Sequence, residues 1–155
     1  MKGFRRITGR VLVSAAILLA GCSDSSGNPN DPASSNTVTP VITTGSWVVA
    51  SLVQRTENKT SQFSGYILKF TATSAESGTV TATRNGSTVS GTWTHAPAVT
   101  YYGNAATESI VLDLGKSSPL DRLTDTWNVV SATSATLTLV HPEVAEDEHL
   151  VLTKQ

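Results

Sequence analysis

With one cysteine in 155 residues, Cys22, the chain can close no disulfide within itself, and its core must hold together unaided. Charge is also scarce. Lys, Arg, Asp and Glu make up 15% of the chain, 11 basic against 12 acidic, so there is no basic surface for nucleic acid. The longest apolar run, "VLVSAAILLA" at 11–20, would cover roughly half of a ~30 Å hydrocarbon core, too little for a membrane-spanning helix. Gly-x-Ser-x-Gly and a Ser–His–acid order are missing, and no two carboxylates are placed by a recognisable motif. "LGKSS" at 114–118 carries the end of a phosphate-binding loop, but the glycine such a loop needs at 110 is Ile110. The reading is of a non-catalytic protein without cofactor or metal.

The residues that are present begin with a basic segment, "MKGFRRITGR", then the apolar run, then small residues. That is the order of a secretory signal. The paired Arg5–Arg6 hints at a twin-arginine signal, yet the "ITGR" that follows lends it little, and general secretion fits better. The junction "LAGC", Leu19 to Cys22, resembles the lipobox of bacterial lipoproteins: an aliphatic residue, two small ones and the cysteine. The resemblance implies diacylglycerol on the Cys22 sulfur, cleavage just before it, and attachment of the protein to a membrane through that lipid. The alternative is a cysteine that merely sits in or just after an ordinary signal. Lipidation would leave no thiol for nucleophilic catalysis or zinc. Loss of the leader would leave 7 basic against 12 acidic residues, a net charge of −5. In enteric sorting logic an Asp after the cysteine retains a lipoprotein at the inner membrane, so Ser23 favours the outer membrane of the cell envelope.

Three regions follow: a signal segment 1–21, a lipidated start and flexible linker 22–44, and a domain 45–155. The linker is rich in Ser, Asn, Pro, Gly and Asp and has few apolar residues to bury; Val38 to Ile42 pairing as an edge strand is the alternative there. Beyond it the pattern has period two. "TVTATR" (79–84) and "TVSGTWT" (88–94) alternate Thr or Ser with Val, Ala, Gly or Trp, and Asn85–Gly86 between them is a strong hairpin signal. Further strands are expected over 46–54, 65–73, 108–114, 127–132, 136–141 and 149–154. Eight short strands with one apolar face each predict an all-β domain, an antiparallel eight-stranded barrel or a strongly curled sheet. One helical signal interrupts, "SSPLDRLTD", with Ser118 as N-cap and Pro119 at the first helical position.

"GSW", Gly45 to Trp47, at the head of the first strand resembles the lipocalin signature, whose Trp closes the bottom of an eight-stranded barrel. With "FSGYILKF", "GTVTATRNGSTVSGTW", "LDRLTDTWNVVSATSATLTL" and "EHLVLTK", the chain over roughly 45–154 is similar to the lipocalin-like domains of bacterial lipoproteins. Lipocalins place an Arg late in the chain over that Trp; here Lys154 is the cation available to lie across Trp47. Alternation puts Trp47, Leu68, Phe70, Trp93, Leu112 and Trp127 inside the barrel, as candidate lining for a hydrophobic small molecule. On the same face it puts Val49, Val80, Val89, Ile110, Val129, Leu137, Leu139, Leu150 and Leu152. Tyr101 and Tyr102, in the weakly patterned stretch 98–107, are the candidate mouth. Such a barrel would bind a hydrophobic small molecule or a partner protein. Alternatively, it has a solid core and works through its surface. "HPEVAEDEH" (141–149) has donors enough for a cation but sits where the last hairpin must turn, and charge there serves solubility. His95, Asp113 and Asp125 have no partner identifiable in the sequence.

Overall fold

In the computed structural model the described residues are 33–35, 38–101 and 104–155, with backbone alone at 33–35, 100–101 and 104–105. The expected signal segment, Cys22, the linker as far as 32 and Tyr102 lie outside them.

Each expected strand segment contains a strand. They are β1 (Trp47–Gln54), β2 (Ile67–Ala72), β3 (Ser77–Arg84), β4 (Ser87–Ala96), β5 (Ser109–Asp113), β6 (Asp125–Ala132), β7 (Thr136–Val140) and β8 (Glu148–Lys154). Every strand pairs antiparallel with its neighbour in sequence, and β8 pairs back on β1 from Glu148↔Gln54 to Lys154↔Trp47. The sheet is therefore a closed up-and-down barrel, and closure removes the long exposed edges an open sheet would carry. The β3–β4 turn has positive φ at both central residues, 52° at Asn85 and 80° at Gly86, the geometry for which Asn-Gly is suited.

The register runs all the turns to two ends. The base holds the start of β1, the connectors 73–76 and 133–135, and the excursion between β4 and β5. The rim holds the connectors 55–66, 85–86, 114–124 and 141–147. The seam between β1 and β2 is the weakest. Trp47 opposite Leu68 is its one paired position, and above that point the strands part. The gap is filled from the 55–66 connector. Glu57–Asn58 pairs with Val53 and Gln54, Thr60 Oγ1 accepts the Leu52 N–H at 2.9 Å, and Phe63 on a 3-10 turn is buried beneath.

Two glycines let the sheet curl. Gly78 lies opposite Trp93, and a Cβ there would stand 1.9 Å from the Thr71 carbonyl oxygen and 2.7 Å from the Trp93 indole nitrogen. At Gly91 a Cβ would stand 2.0 Å from the Asp113 carbonyl oxygen. Both carbonyl oxygens belong to the backbone of paired strands and cannot swing away. Trp93 occupies the space that the missing Cβ leaves, with its indole N–H directed at the Thr71 carbonyl at 3.4 Å.

The expected linker is shorter at its C-terminal end. Thr39–Ile42 forms a one-turn helix, α1, with Val38 and Ile42 both fully buried in the core. These residues are four apart, so one helical face carries both; too few to suggest a core segment by composition, they still close the base. Before them, Ala33–Ser35 pairs with Ala98–Thr100 of a strand in the β4–β5 excursion. The "SSPLDRLTD" signal is a single 3-10 turn, Leu120–Leu123, and Ser118 makes no capping hydrogen bond. Thr124 holds that connector instead, accepting the Leu114 N–H at 2.8 Å and donating to the Gly115 carbonyl at 3.1 Å.

Replacing Gly78 by Ala should cost about 2 kcal/mol or more, because a backbone oxygen must move to admit one methyl. Equilibrium urea unfolding of Gly78→Ala beside an exposed control on the same strand, Thr79→Ala, measures it; equal losses in the two would contradict the close approach.

Candidate functional site

The interior was the candidate ligand site, and the structure brings its six expected residues together. Trp47, Leu68, Phe70, Trp93, Leu112 and Trp127 all point inward and are 0–1% exposed. A water-sized sphere therefore touches almost nothing of any of them. Val89 and Val129 are half-buried, packed at the margin of this cluster. Beside Val129 the β6–β7 register slips, and the bulged Val130 is turned out and 60% exposed.

Both ends are shut by residues that period-two reading does not reach. At the base, the Trp47 indole N–H donates to the Ile42 carbonyl at 2.9 Å, tying α1 across the opening. Thr39 Oγ1 secures its other side on the Ala75 carbonyl at 2.8 Å. Lys154 lies over Trp47 with Nζ 5.4 Å from the ring centroid, the place expected for the late cation. At the rim, Leu114, Leu120 and Leu123 are buried, and the Trp127 indole N–H donates to the Leu123 carbonyl at 3.1 Å. All three indoles thus find a backbone carbonyl. A buried N–H needs such a partner, and here each bond also fixes a neighbouring element.

His95 has a partner after all. It sits inside the base, 4% exposed, with Nε2 2.8 Å from Glu108 Oε1. Its Nδ1 is buried without a hydrogen bond. The register brings them together, and no motif in the sequence does: β4 and β5 pair as Ala96↔Ser109, which sets 95 and 108 diagonally on the inner face. Asp113 accepts the Gly115 N–H at 2.9 Å, and Asp125 stands 3.4 Å from His141 Nε2. Tyr101 lies on a strand, Ala98–Tyr101, in the excursion at the base.

The stretch 141–149 turns at the rim, as expected, and leaves a cleft of about 190 Å³ lined by His141, Glu148 and His149 beside Val144, which is 91% exposed. Its histidines go to different carboxylates. His141 faces Asp125 and the edge of Trp127, whereas His149 Nε2 is 3.0 Å from Asp147. Among the described residues no group of three or more His, Cys, Asp or Glu side chains is arranged to hold a metal ion. Burial raises the Glu148 carboxyl above its ordinary value; His141 opposes the rise, Asp125 adds to it, and the charges of Arg122 and Glu146 act in opposite directions.

No family model and no curated protein matches the chain. Among solved structures, an uncharacterized protein from Bacteroides eggerthii DSM 20697 is 14% identical with a TM-score of 0.46. The alignment takes in 77% of this chain and all of that one, too distant a likeness to bear on function.

Two outcomes follow from this geometry. Ile42→Ala should lose about 2–5 kcal/mol by urea unfolding, since a fully buried side chain is cut from the plug; a change within experimental error would mean α1 does not close the base. Glu148→Gln should be slightly more stable than the parent at pH 7, by under about 1 kcal/mol given the solvent at the cleft. A raised carboxyl binds its proton more readily folded than unfolded, so its penalty is present above the folded value and vanishes as pH falls toward 4.5. Unfolding curves at pH 7 and pH 4 should therefore differ for the pair at the first and coincide at the second.

Proposed function

We propose that the chain is a lipid-anchored protein of the bacterial envelope, similar to the lipocalin-like lipoproteins, and that its barrel is a filled, non-catalytic body acting on a partner protein through its outer surface. The observation that carries this reading is the sealed interior, with the six inward residues at 0–1% exposure and a plug at either end. A drug-sized ligand needs a cavity of roughly 300 Å³ or more. Here three indoles occupy that volume, each held by a backbone carbonyl. Of the two roles open to such a barrel, the surface role therefore has the support and the internal-ligand role does not. The anchor rests on "LAGC" and the basic and apolar segments ahead of it, and Ser23 supports the outer membrane.

Cys22→Ser should move the protein from the membrane to the soluble fraction of lysed cells; retention in the membrane would refute the anchor. Native mass spectrometry of the full chain, after exposure to fatty acids, should show the covalently acylated mass and nothing more. A stoichiometric non-covalent adduct would restore the internal-ligand role.

A further inference from the structure

We infer that the base of the barrel rests against the headgroup layer of the membrane that holds Cys22, and that the charged rim points away from it. This rests on the lipid-anchor reading above. The chain enters the domain at the base: Ala33–Ser35 is paired on the β4–β5 excursion, Val38 and Ile42 are buried, and the Trp47 indole bonds the Ile42 carbonyl. Ten residues, 23–32, then separate the anchor from the first paired residue. Ten residues can reach at most about 35 Å. The rim lies about 20 Å beyond the base, allowing for strand tilt, so bringing it to the bilayer would need more than half of that length laid back along the barrel, whereas the base needs none of it.

Charge selects the same orientation. Of the 17 Lys, Arg, Asp and Glu residues over 38–155, only Glu76, Glu108 and Lys154 lie at the base, and Lys69 lies part-way up β2. The other 13, five basic and eight acidic, are on the rim connectors or the strand ends that meet them. At the base, Glu108 is bonded to His95 and Lys154 lies over Trp47, while the exposed connectors 73–76 and 133–135 are Ser, Thr and Ala apart from Glu76. A surface of small uncharged side chains can approach headgroups without desolvating ions. The negative potential of an anionic leaflet, felt within about 10 Å, repels a net-acidic rim.

The test uses the full chain from Cys22 onward, coupled through that sole cysteine to a maleimide lipid in vesicles of phosphatidylethanolamine and phosphatidylglycerol. A clickable amino acid carries a donor dye at Ser134 (base) or Val144 (rim), and a headgroup-labelled lipid is the acceptor. Ser74 and Lys116 form a second base and rim pair. Energy transfer from the base positions should exceed that from the rim positions by about twofold or more. Equal transfer, or more from the rim, would overturn the inference. The anchor is set here by chemistry, so this result is separate from the Cys22→Ser fractionation, which tests whether the cell itself attaches the lipid.

Discussion

The hydrogen bond from the Trp47 indole to the Ile42 carbonyl joins the parts of this fold that strand pairing alone leaves loose. On one side it fixes α1 over the base; on the other the same ring is the point where β1 meets β2, opposite Leu68. Lys154 covers the ring from the end of β8, the strand that closes the barrel. Plug, seam and closure thus meet on one side chain. A phenylalanine there would fill most of the volume, but it would leave a buried carbonyl without its donor, and an unsatisfied buried group costs about 1–3 kcal/mol.

The same logic explains how a barrel without disulfides keeps its ends shut. Connectors made of Ser, Thr, Ala and Gly have little apolar surface with which to dock. Here a few apolar residues do that work where an indole N–H can reach the backbone beside them: Ile42 at the base, Leu123 at the rim. Large rings then fill the middle, so the space in which a larger barrel would hold cargo is the hydrophobic core itself. Emptying it would create a cavity costing roughly 24 cal/mol per Å³, several kcal/mol for one indole. That is a large part of the stability of a domain this size.

Much of this was legible in the sequence, because an antiparallel barrel writes its inside and outside at period two. Trp93, Phe70 and Leu112 could be placed inward, and Asn85–Gly86 at a turn, from spacing alone. The parity fails at a bulge. Counting by twos from Trp47 and Val49 puts Ser51 inside and Leu52 outside. The register with β8 slips there, with Ser51 and Val49 opposite Val151 and Leu152, so Leu52 is the residue fully buried. Val38 and Ile42 were hidden for a different reason. A single helical turn has only two apolar residues to show, and among Thr and Pro these read as linker. The His95–Glu108 pair needed the strand register, since neither residue has a motif around it.

The seam that Trp47 pins is also where the barrel should give first. Elsewhere neighbouring strands exchange hydrogen bonds over several residues, but between β1 and β2 the upper stretch is joined through a connector. There, Thr60 and Lys59 bond to Leu52, and Phe63 packs beneath. These contacts come from a local segment that can lift without unpairing any of the other strands. Local openings concentrate where few backbone bonds and little buried area must be lost. Lifting 55–66 would bare Leu52 and Phe63 while the base plug, held from Trp47 and Thr39, stayed in place. The order of strength is therefore set along the barrel axis: the end where the chain enters is bound by indole and hydroxyl bonds across separate elements, and the end carrying most of the charge is closed by connectors that fold back on their own strands.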